Sequence, residues 1–589
     1  MTSFQTNEER QHKRQKDSNA ALRKTSREDV LSQLDKISHI DRTESKWIAL
    51  LIVIAAGILL RCFAGVWGYS GKNKTPKFGD FEAQRHWMEI TTQLSITEWY
   101  FQSWNWWSLD YPPLTAYHSW LLGKIGASIN QHWFTLYESR GREDIGLQMF
   151  MRSTVLLSEW LIFIPATVLC TLLLGKSLDV RKRAKQFSVA AIALLLQPAL
   201  IMVDHGHFQY NSVMLGFFMA TLACLLAGRR LIACAFFVAA LGFKQMALFY
   251  APAMAAYLAG SCVVPKVQPL KFLAIATATC ASFSALYLPI LVGTWHSLST
   301  GTPVPAGTHM SAGLNSFLRG VPKDLHPYSV QVFQTLHRIF PFSRGLFEDK
   351  VANIWCTVHF SGFYKLASHH SAEVLQHAAL TMTLLTILPP CCIILLRPRK
   401  NLLLWAFASC AWGFFLCSYQ VHEKNVLLPL LPTTALLAGQ DGSKASIRAW
   451  VGFANIVGAW SLFHLLIKDE ISVIYVPLVA VWTYLMELPP WTLGPYVDSD
   501  LSWPSKLLHL CAYAGIALWH ILEIFVSPPA NKPDLWIVIN IVCACGAFCM
   551  CYLWCLWNLL HKSGLMKQIR LVKKMNIVIL LEMWKLKLK

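Results

Sequence analysis

Pro113-Leu-Thr-Ala-Tyr-His-Ser-Trp-Leu-Leu-Gly-Lys-Ile-Gly-Ala-Ser-Ile129 decides how the rest of the chain is threaded. It is too polar for a comfortable span, and its 17 residues fall short of the ~20 that cross a bilayer. Its neighbours settle the reading. Residues 48–66 are a solidly apolar run whose flanking charges put its start in the cytoplasm. Residues 152–175 are a second run ending at Lys176, Arg181, Lys182, Arg183 and Lys185, a cytoplasmic signature. If one span leaves and the other returns, 113–129 cannot also cross. It is expected at the lumenal face, within one long loop over 67–151.

The same parity carries down the chain. Spans are expected at 186–203 and 211–227, and at 231–260 as two short helices broken at Lys244-Gln245. Others follow at 270–292, 372–396, 401–419, 425–439, 446–466, 471–487, 503–525 and 533–557. The total is about fourteen transmembrane helices, with both termini cytoplasmic. Parity also makes 353–367 a lumenal-face element, inside a second large lumenal region over 293–371. The expected fold class is therefore an all-α polytopic membrane protein. Residues 1–47 form a flexible cytoplasmic tail, 48–560 the multispanning domain and 561–589 a basic cytoplasmic tail. No apolar segment precedes Trp47, so no cleaved signal peptide is expected.

Composition agrees. The 589 residues are 54% hydrophobic and only 14% charged, which no soluble domain can bury. The formal charge of +19 raises nucleic acid as a partner. Its densest part, however, is the last 28 residues, where juxtamembrane Lys and Arg orient spans and touch anionic lipid. Nucleic acid is not expected. The 17 Cys sit mostly in apolar runs without a CxxC and read as small core hydrophobes. The tail ends Lys585-Leu-Lys587-Leu-Lys589, a dilysine pattern readable by cytoplasmic retrieval machinery. Asn73-Lys74-Thr75 is a glycosylation sequon on the expected lumenal side.

The polar residues gather in four lumenal strings: 79–113, 204–211, 337–353 and 419–425. Charges beside broken helices line pathways or bind polar ligands. Asp80 has two readings. It is an N-cap for a helix beginning at Phe81, or a carboxylate that takes a proton from an attacking hydroxyl. The roles conflict, because a carboxylate satisfied by its own helix amides is a poorer base. Glu82, Arg85 and His86 follow at helical spacing, and Asp110 and Tyr111 close the same loop. Trp106 and Trp107 are candidates to stack on a sugar, or members of an interfacial belt. His205, His207 and Gln209 occupy the second string. His337, Arg338, Arg344, Lys350, His422 and Lys424 are candidates to clamp a phosphate, with Glu423 between the last two. Lys244, in the helix break, demands a partner. No Walker loop, HExxH, nucleophile elbow or convincing metal-ligand spacing is present, so no metal or other cofactor is expected.

Five strings carry a resemblance: Gly79-Asp-Phe-Glu-Ala-Gln-Arg-His-Trp87, Leu109-Asp-Tyr-Pro-Pro113, Asp204-His-Gly-His-Phe-Gln-Tyr-Asn211, Phe243-Lys-Gln-Met246 and Val421-His-Glu-Lys424. With the stretch Arg338–Asn353, they make the chain similar to the dolichyl-phosphate-glucose α-1,3-glucosyltransferases of lipid-linked oligosaccharide assembly. The resemblance implies a GT-C fold, residence in the endoplasmic reticulum membrane and Asp80 as the base. The implied donor is dolichyl phosphate glucose and the implied acceptor dolichyl-pyrophosphate-linked Man9GlcNAc2. The Ala-Gln-Arg-His-Trp continuation resembles the enzymes that add the first glucose more than those that add the second. Alternatives are that second-glucose activity, a lipid-linked sugar transporter or flippase, and a non-catalytic scaffold. A transporter predicts paired internal repeats, which are not seen.

Overall fold

The computed structural model describes residues 44–567 apart from 103–105, 179, 306–311, 341–346, 348, 363 and 498. Two units are distinguished, Met1–Ala56 and Gly57–Lys589. The described part of the first is the opening of the helix Glu44–Val66. All the later helices belong to the second.

Helices follow one another without a strand among the described residues. Counting Trp47–Val66, ten are long and apolar enough to cross a membrane, and Asn211–Leu226, Arg230–Phe243 and Ser472–Leu485 are shorter apolar helices. The chain is a multi-pass membrane protein. Each of the fourteen expected positions holds a helix, but ten helices are both long and apolar enough to cross. The expected span at 425–439 is the short helix Leu427–Ala435, extended by one tight turn to Ala438.

Side-chain exposure sorts these helices. Arg183–Phe208 and Ala445–Lys468 are almost wholly enclosed by protein, whereas Pro269–Ser299 and Trp503–Phe525 turn most of their surface outward. Exposed Leu270, Phe272, Leu273, Leu288 and Trp295 along one such helix are what a lipid-facing surface requires. Lipid offers no hydrophobic drive for helix association, so close packing must hold the bundle together. Gly260 shows how: a β-carbon there would stand 2.3 Å from the Leu395 carbonyl oxygen, so only glycine lets these two helices meet.

Three features place the site. Pro113–Ile129 is a helix, with Pro113 in its first turn, and does not belong to the apolar set. The helix expected to break at Lys244 does so. Arg230–Phe243 stops, Lys244 is extended, and a tight turn over Gln245–Tyr250 leads into Ala251–Val263. Residues 204–211, expected as a connection between spans, are instead mostly helix: the helix runs to Phe208 with its last turns, Met202–Phe208, widened to a π-helix. That widening is a recurrent device for presenting side chains at functional sites. Here it brings His205 and His207 inward, and both are buried. Ile354–Phe360, within the expected face element 353–367, has seven residues and is too short to cross.

Candidate active site

Asp80 opens the helix Asp80–Gln93. Gly79 is its N-cap, and no side chain caps it. The Asp80 carboxylate is therefore not spent on its own helix amides, and the capping reading gives way. Its backbone N–H donates to Ser70 Oγ at 3.2 Å. The turn before it is tight. Gly71 has φ +81°, and a β-carbon there would lie 1.9 Å from the Gly79 nitrogen.

Three side chains converge on one oxygen of Asp80. His207 Nε2 lies 2.9 Å from Oδ2, Gln209 Nε2 donates to it at 2.5 Å, and Lys424 Nζ donates at 2.5 Å. Among the described residues no donor reaches Oδ1. The side chain is 23% exposed, toward a cavity of about 680 Å3 that it helps to line. Burial pushes the carboxyl up, but Lys424 and His207 outweigh it and hold Asp80 well below the usual carboxylate range. Burial likewise pulls Lys424 down, and the pairing with Asp80 carries it above the ordinary lysine value.

The walls of the cavity differ in chemistry. Lys424, His422 and Lys468 line it around Asp349, which feels all three. Trp87, Trp107 and Tyr111 supply an aromatic side, and the Trp87 and Tyr111 rings lie 4.8 Å apart. Leu248, Phe249 and Phe414 add an apolar side, with Phe249 stacked on Phe414. Lys244, also at the wall, donates to Gln209 Oε1 at 2.7 Å and Asn211 Oδ1 at 2.8 Å, and lies over the Tyr111 ring. The demand for a partner in the helix break is met by this network. Gln209 thus passes from Lys244 to Asp80, orienting both. Asp110 and Glu423 line the cavity as well.

Other residues singled out from sequence sit elsewhere. Arg85 is fully buried behind the helix, bonded to both Glu82 oxygens at 2.7 Å, to Glu89 at 2.7 Å and to Ser139 at 2.7 Å. Burial lowers the Arg85 guanidinium, but Glu82 and Glu89 raise it further. His86 is buried against the same Glu89, 3.2 Å away. These groups fasten the helix to the segment 130–144. Trp106 donates to Glu82 Oε1 at 3.2 Å and carries Arg140 over its ring. His205 Nε2 lies 2.7 Å from Glu159, which is paired with Arg61 at 2.5 Å. Arg338 holds the Tyr100 and Gln102 carbonyls at 3.0 and 2.6 Å, and His337 is half-buried in the same helix, off the cavity wall. Lys350 pairs with Asp534 at 2.6 Å. Asn73 is exposed in the loop before Asp80. Arg344 and the C-terminal lysines lie outside the described residues.

Asp349, Lys468 and Asp469 at the wall, and Glu159 behind it, were not singled out as site residues. Two signals were available: the charged string Lys468-Asp469-Glu470 interrupts an apolar region, and Glu159 is a lone carboxylate in an apolar run. Asp349, His422 and Glu423 bring metal-ligand atoms within 4.8 Å of one another. His422 is hydrogen-bonded to Asp349, and Glu423 lies 3.4 Å from His464. Two carboxylates and an imidazole suit a cation or a proton, and Lys424 beside them supplies a positive charge of its own.

Comparison with known proteins gives the family. Residues 50–302 and 322–557 match the model of the ALG6, ALG8 glycosyltransferase family. The chain is 39% identical to the probable dolichyl pyrophosphate Man9GlcNAc2 alpha-1,3-glucosyltransferase of Schizosaccharomyces pombe, over 90% of this chain and 95% of that protein. It is 38% identical to the Saccharomyces cerevisiae protein named dolichyl pyrophosphate Man9GlcNAc2 alpha-1,3-glucosyltransferase, over 87% and 91% of the two chains, and 33% identical to the Mus musculus protein of that name, over 85% and 94%. A match over nearly the whole chain, with this much identity to full-length relatives, makes it a member of the ALG6, ALG8 glycosyltransferase family.

Proposed function

We propose that this protein transfers glucose from dolichyl phosphate glucose to the terminal mannose of one arm of dolichyl-pyrophosphate-linked Man9GlcNAc2. The new bond is α-1,3, and it is the first glucose added to the N-glycan precursor. The mannose 3-hydroxyl attacks glucose C1 while the bond from C1 to the phosphate oxygen breaks. The hydroxyl proton passes to Asp80 Oδ1, and dolichyl phosphate leaves with the bonding electron pair. A single in-line displacement turns a β donor bond into an α product bond. The observation that carries this reading is the asymmetry of Asp80: three donors hold Oδ2, none among the described residues reaches Oδ1, and the side chain lines the cavity. A carboxylate with a depressed pKa is a weak base, but the hydroxyl becomes strongly acidic as its bond to C1 forms, so proton transfer need only follow.

Lys424, Lys468 and His422 are assigned to the departing phosphate, where charge develops. The aromatic wall takes the sugars, and the apolar wall at Leu248, Phe249 and Phe414 takes the start of the lipid chain. The site faces the lumen of the endoplasmic reticulum, with both termini cytoplasmic and Asn73 lumenal. Loss of an endoglycosidase-sensitive mass shift in Asn73→Gln tests that side assignment. No metal is assigned a step.

The deciding experiment is transfer between defined donor and acceptor lipids by purified wild type and Asp80→Asn, with and without chelator. Wild type should form glucosylated product in both conditions, and D80N should lose about 10²–10⁴-fold in rate with lipid binding retained. Lipid movement without product would make the protein a transporter. A silent D80N would remove Asp80 from the reaction.

A further inference from the structure

His207 does not end at Asp80. Its ring, 3% exposed, has a carboxylate at each nitrogen: Asp80 Oδ2 is 2.9 Å from Nε2, and Asp469 Oδ2 is hydrogen-bonded to Nδ1. Asp469 is also 3% exposed and caps the helix Phe463–Lys468, 262 positions along the chain from His207. A neutral imidazole carries one N–H. One of the two contacts would then set a ring lone pair against a carboxylate oxygen inside the protein. Both are favourable together only when both nitrogens carry hydrogen. Lys424 Nζ stands 3.3 Å from Nε2, farther away than the Asp80 oxygen, to which that ammonium also donates.

Other charges face this group from neighbouring elements. Lys424 is flanked by Glu423 and Asp349, and Lys244 feels Asp204, Asp110, Lys424 and Asp80. Of these, Glu423, Asp349, Lys244 and Asp110 line the cavity with Asp80 and Asp204 is fully buried, whereas Asp469, also at the wall, meets His207 at Nδ1.

We propose that Asp469 is a positioning residue for the transfer: it holds His207 as a charged donor at both ends, which fixes Asp80 Oδ2 and leaves Oδ1 ionised and open to the acceptor hydroxyl. The proposal rests on the reading that Asp80 receives the proton. No bond to Asp469 forms or breaks. The proton goes from the hydroxyl to Asp80 Oδ1 and then, through the cavity, to water as product leaves.

The test compares purified wild type, Asp469→Asn and Asp469→Glu in transfer between the two defined lipids, from neutral pH down to the lowest pH at which each protein stays folded. In D469N the second ring N–H loses its carboxylate, His207 drops to a neutral ring and Asp80 loses a cationic neighbour. Asp80 then protonates sooner as pH falls, so the acid limb of kcat should move up by about one pH unit or more. KM for both lipids should stay within about twofold, which a distorted cavity would not allow. D469E keeps the charge and should keep the wild-type limb. An acid limb in D469N that coincides with wild type overturns the proposal, as does a rise in KM at an unmoved limb. If D469N does not fold, Asp469→Ser replaces it under the same expectations, and a limb displaced in D469E also counts against the proposal. Failure of the underlying reading looks different: wild type makes no product, or D80N keeps full rate.

Discussion

Lys424 and Asp80, 344 positions apart in sequence, form a 2.5 Å ion pair at the wall of the cavity. The pair does two jobs that pull against each other. It keeps Asp80 ionised, which a base requires, and it lowers the basicity of that carboxylate, which a base does not want. In the proposed reaction the same ammonium, which lines the cavity, is also assigned to the departing phosphate.

Replacing Lys424 with Met should therefore lower kcat about 10²–10³-fold, the size expected for loss of one donor to a developing anion. The acid limb should rise as well. Asp80 is held low by Lys424 and His207 in the folded protein, so its ionised form persists down to low pH. Without Lys424, protonation begins at higher pH and activity is lost earlier on acidification. A pH–rate profile of K424M with defined lipids measures both. An unmoved limb would mean that His207 alone holds Asp80.

The two adjacent tryptophans should separate. Trp107 lines the cavity and anchors its Nε1 on the Lys77 carbonyl at 2.6 Å, whereas Trp106 is engaged with Glu82 and Arg140. Trp107→Ala is expected to raise acceptor KM about tenfold, the order of one stacking contact, with donor KM little changed. Trp106→Ala should lower the melting temperature and leave acceptor KM near wild type. Equal KM effects in the two variants would count against this division.

Arg61 and Glu159 are joined by two hydrogen bonds of 2.6 and 2.5 Å, with His205 on the same carboxylate. Arg61→Met alone leaves a buried charge without its main partner and should cost about 3–5 kcal/mol. Arg61→Met with Glu159→Gln should recover much of that, because the amide introduced at position 159 would still hydrogen-bond His205 and no charge is stranded. Thermal unfolding in detergent reads this cycle, and a double variant as unstable as the single would refute it.

Glu89 gives a stability prediction with a definite sign. Burial raises its carboxyl, but His86 and Arg85 bring it from the ordinary 4.5 to about 2. A depressed folded value means that the contribution is complete above about pH 4.5 and is lost as pH falls toward about 2. Glu89→Gln should thus lower the melting temperature clearly at pH 7, and the gap to wild type should narrow on acidification below about pH 4. A gap independent of pH would assign the effect to packing alone.

Much of this was legible in the chain because membrane proteins write polar function against an apolar background. Asp80, His207, Lys244 and Lys424 stood out as charges in or beside spans, and the break at Lys244 followed from a polar pair inside an apolar run. Their partnership was not legible. Nothing local links residue 80 to 207 or 424, and Asp469 reads as one of three ordinary interfacial charges until folding brings it to His207. Arg85 and Glu82 shared the spacing of the Asp80 helix, yet helical periodicity cannot tell which face meets the cavity and which meets the 130–144 segment. The π-helix escaped notice for a related reason: a polar string rich in His and Gly reads as a loop, and only its pairing with Glu159 and Asp469 shows why it stays wound.

The ligands of Asp80 Oδ2 also set when during synthesis the protein can first work. Residues 207 and 209 emerge well before 424, so the carboxylate can have at most two of these three partners until the later segments are inserted. A truncated or arrested chain then carries every residue of the first polar string and still lacks the ammonium that completes it. On the proposed reaction, a chain cut before residue 424 is therefore expected to bind lipid without transferring sugar.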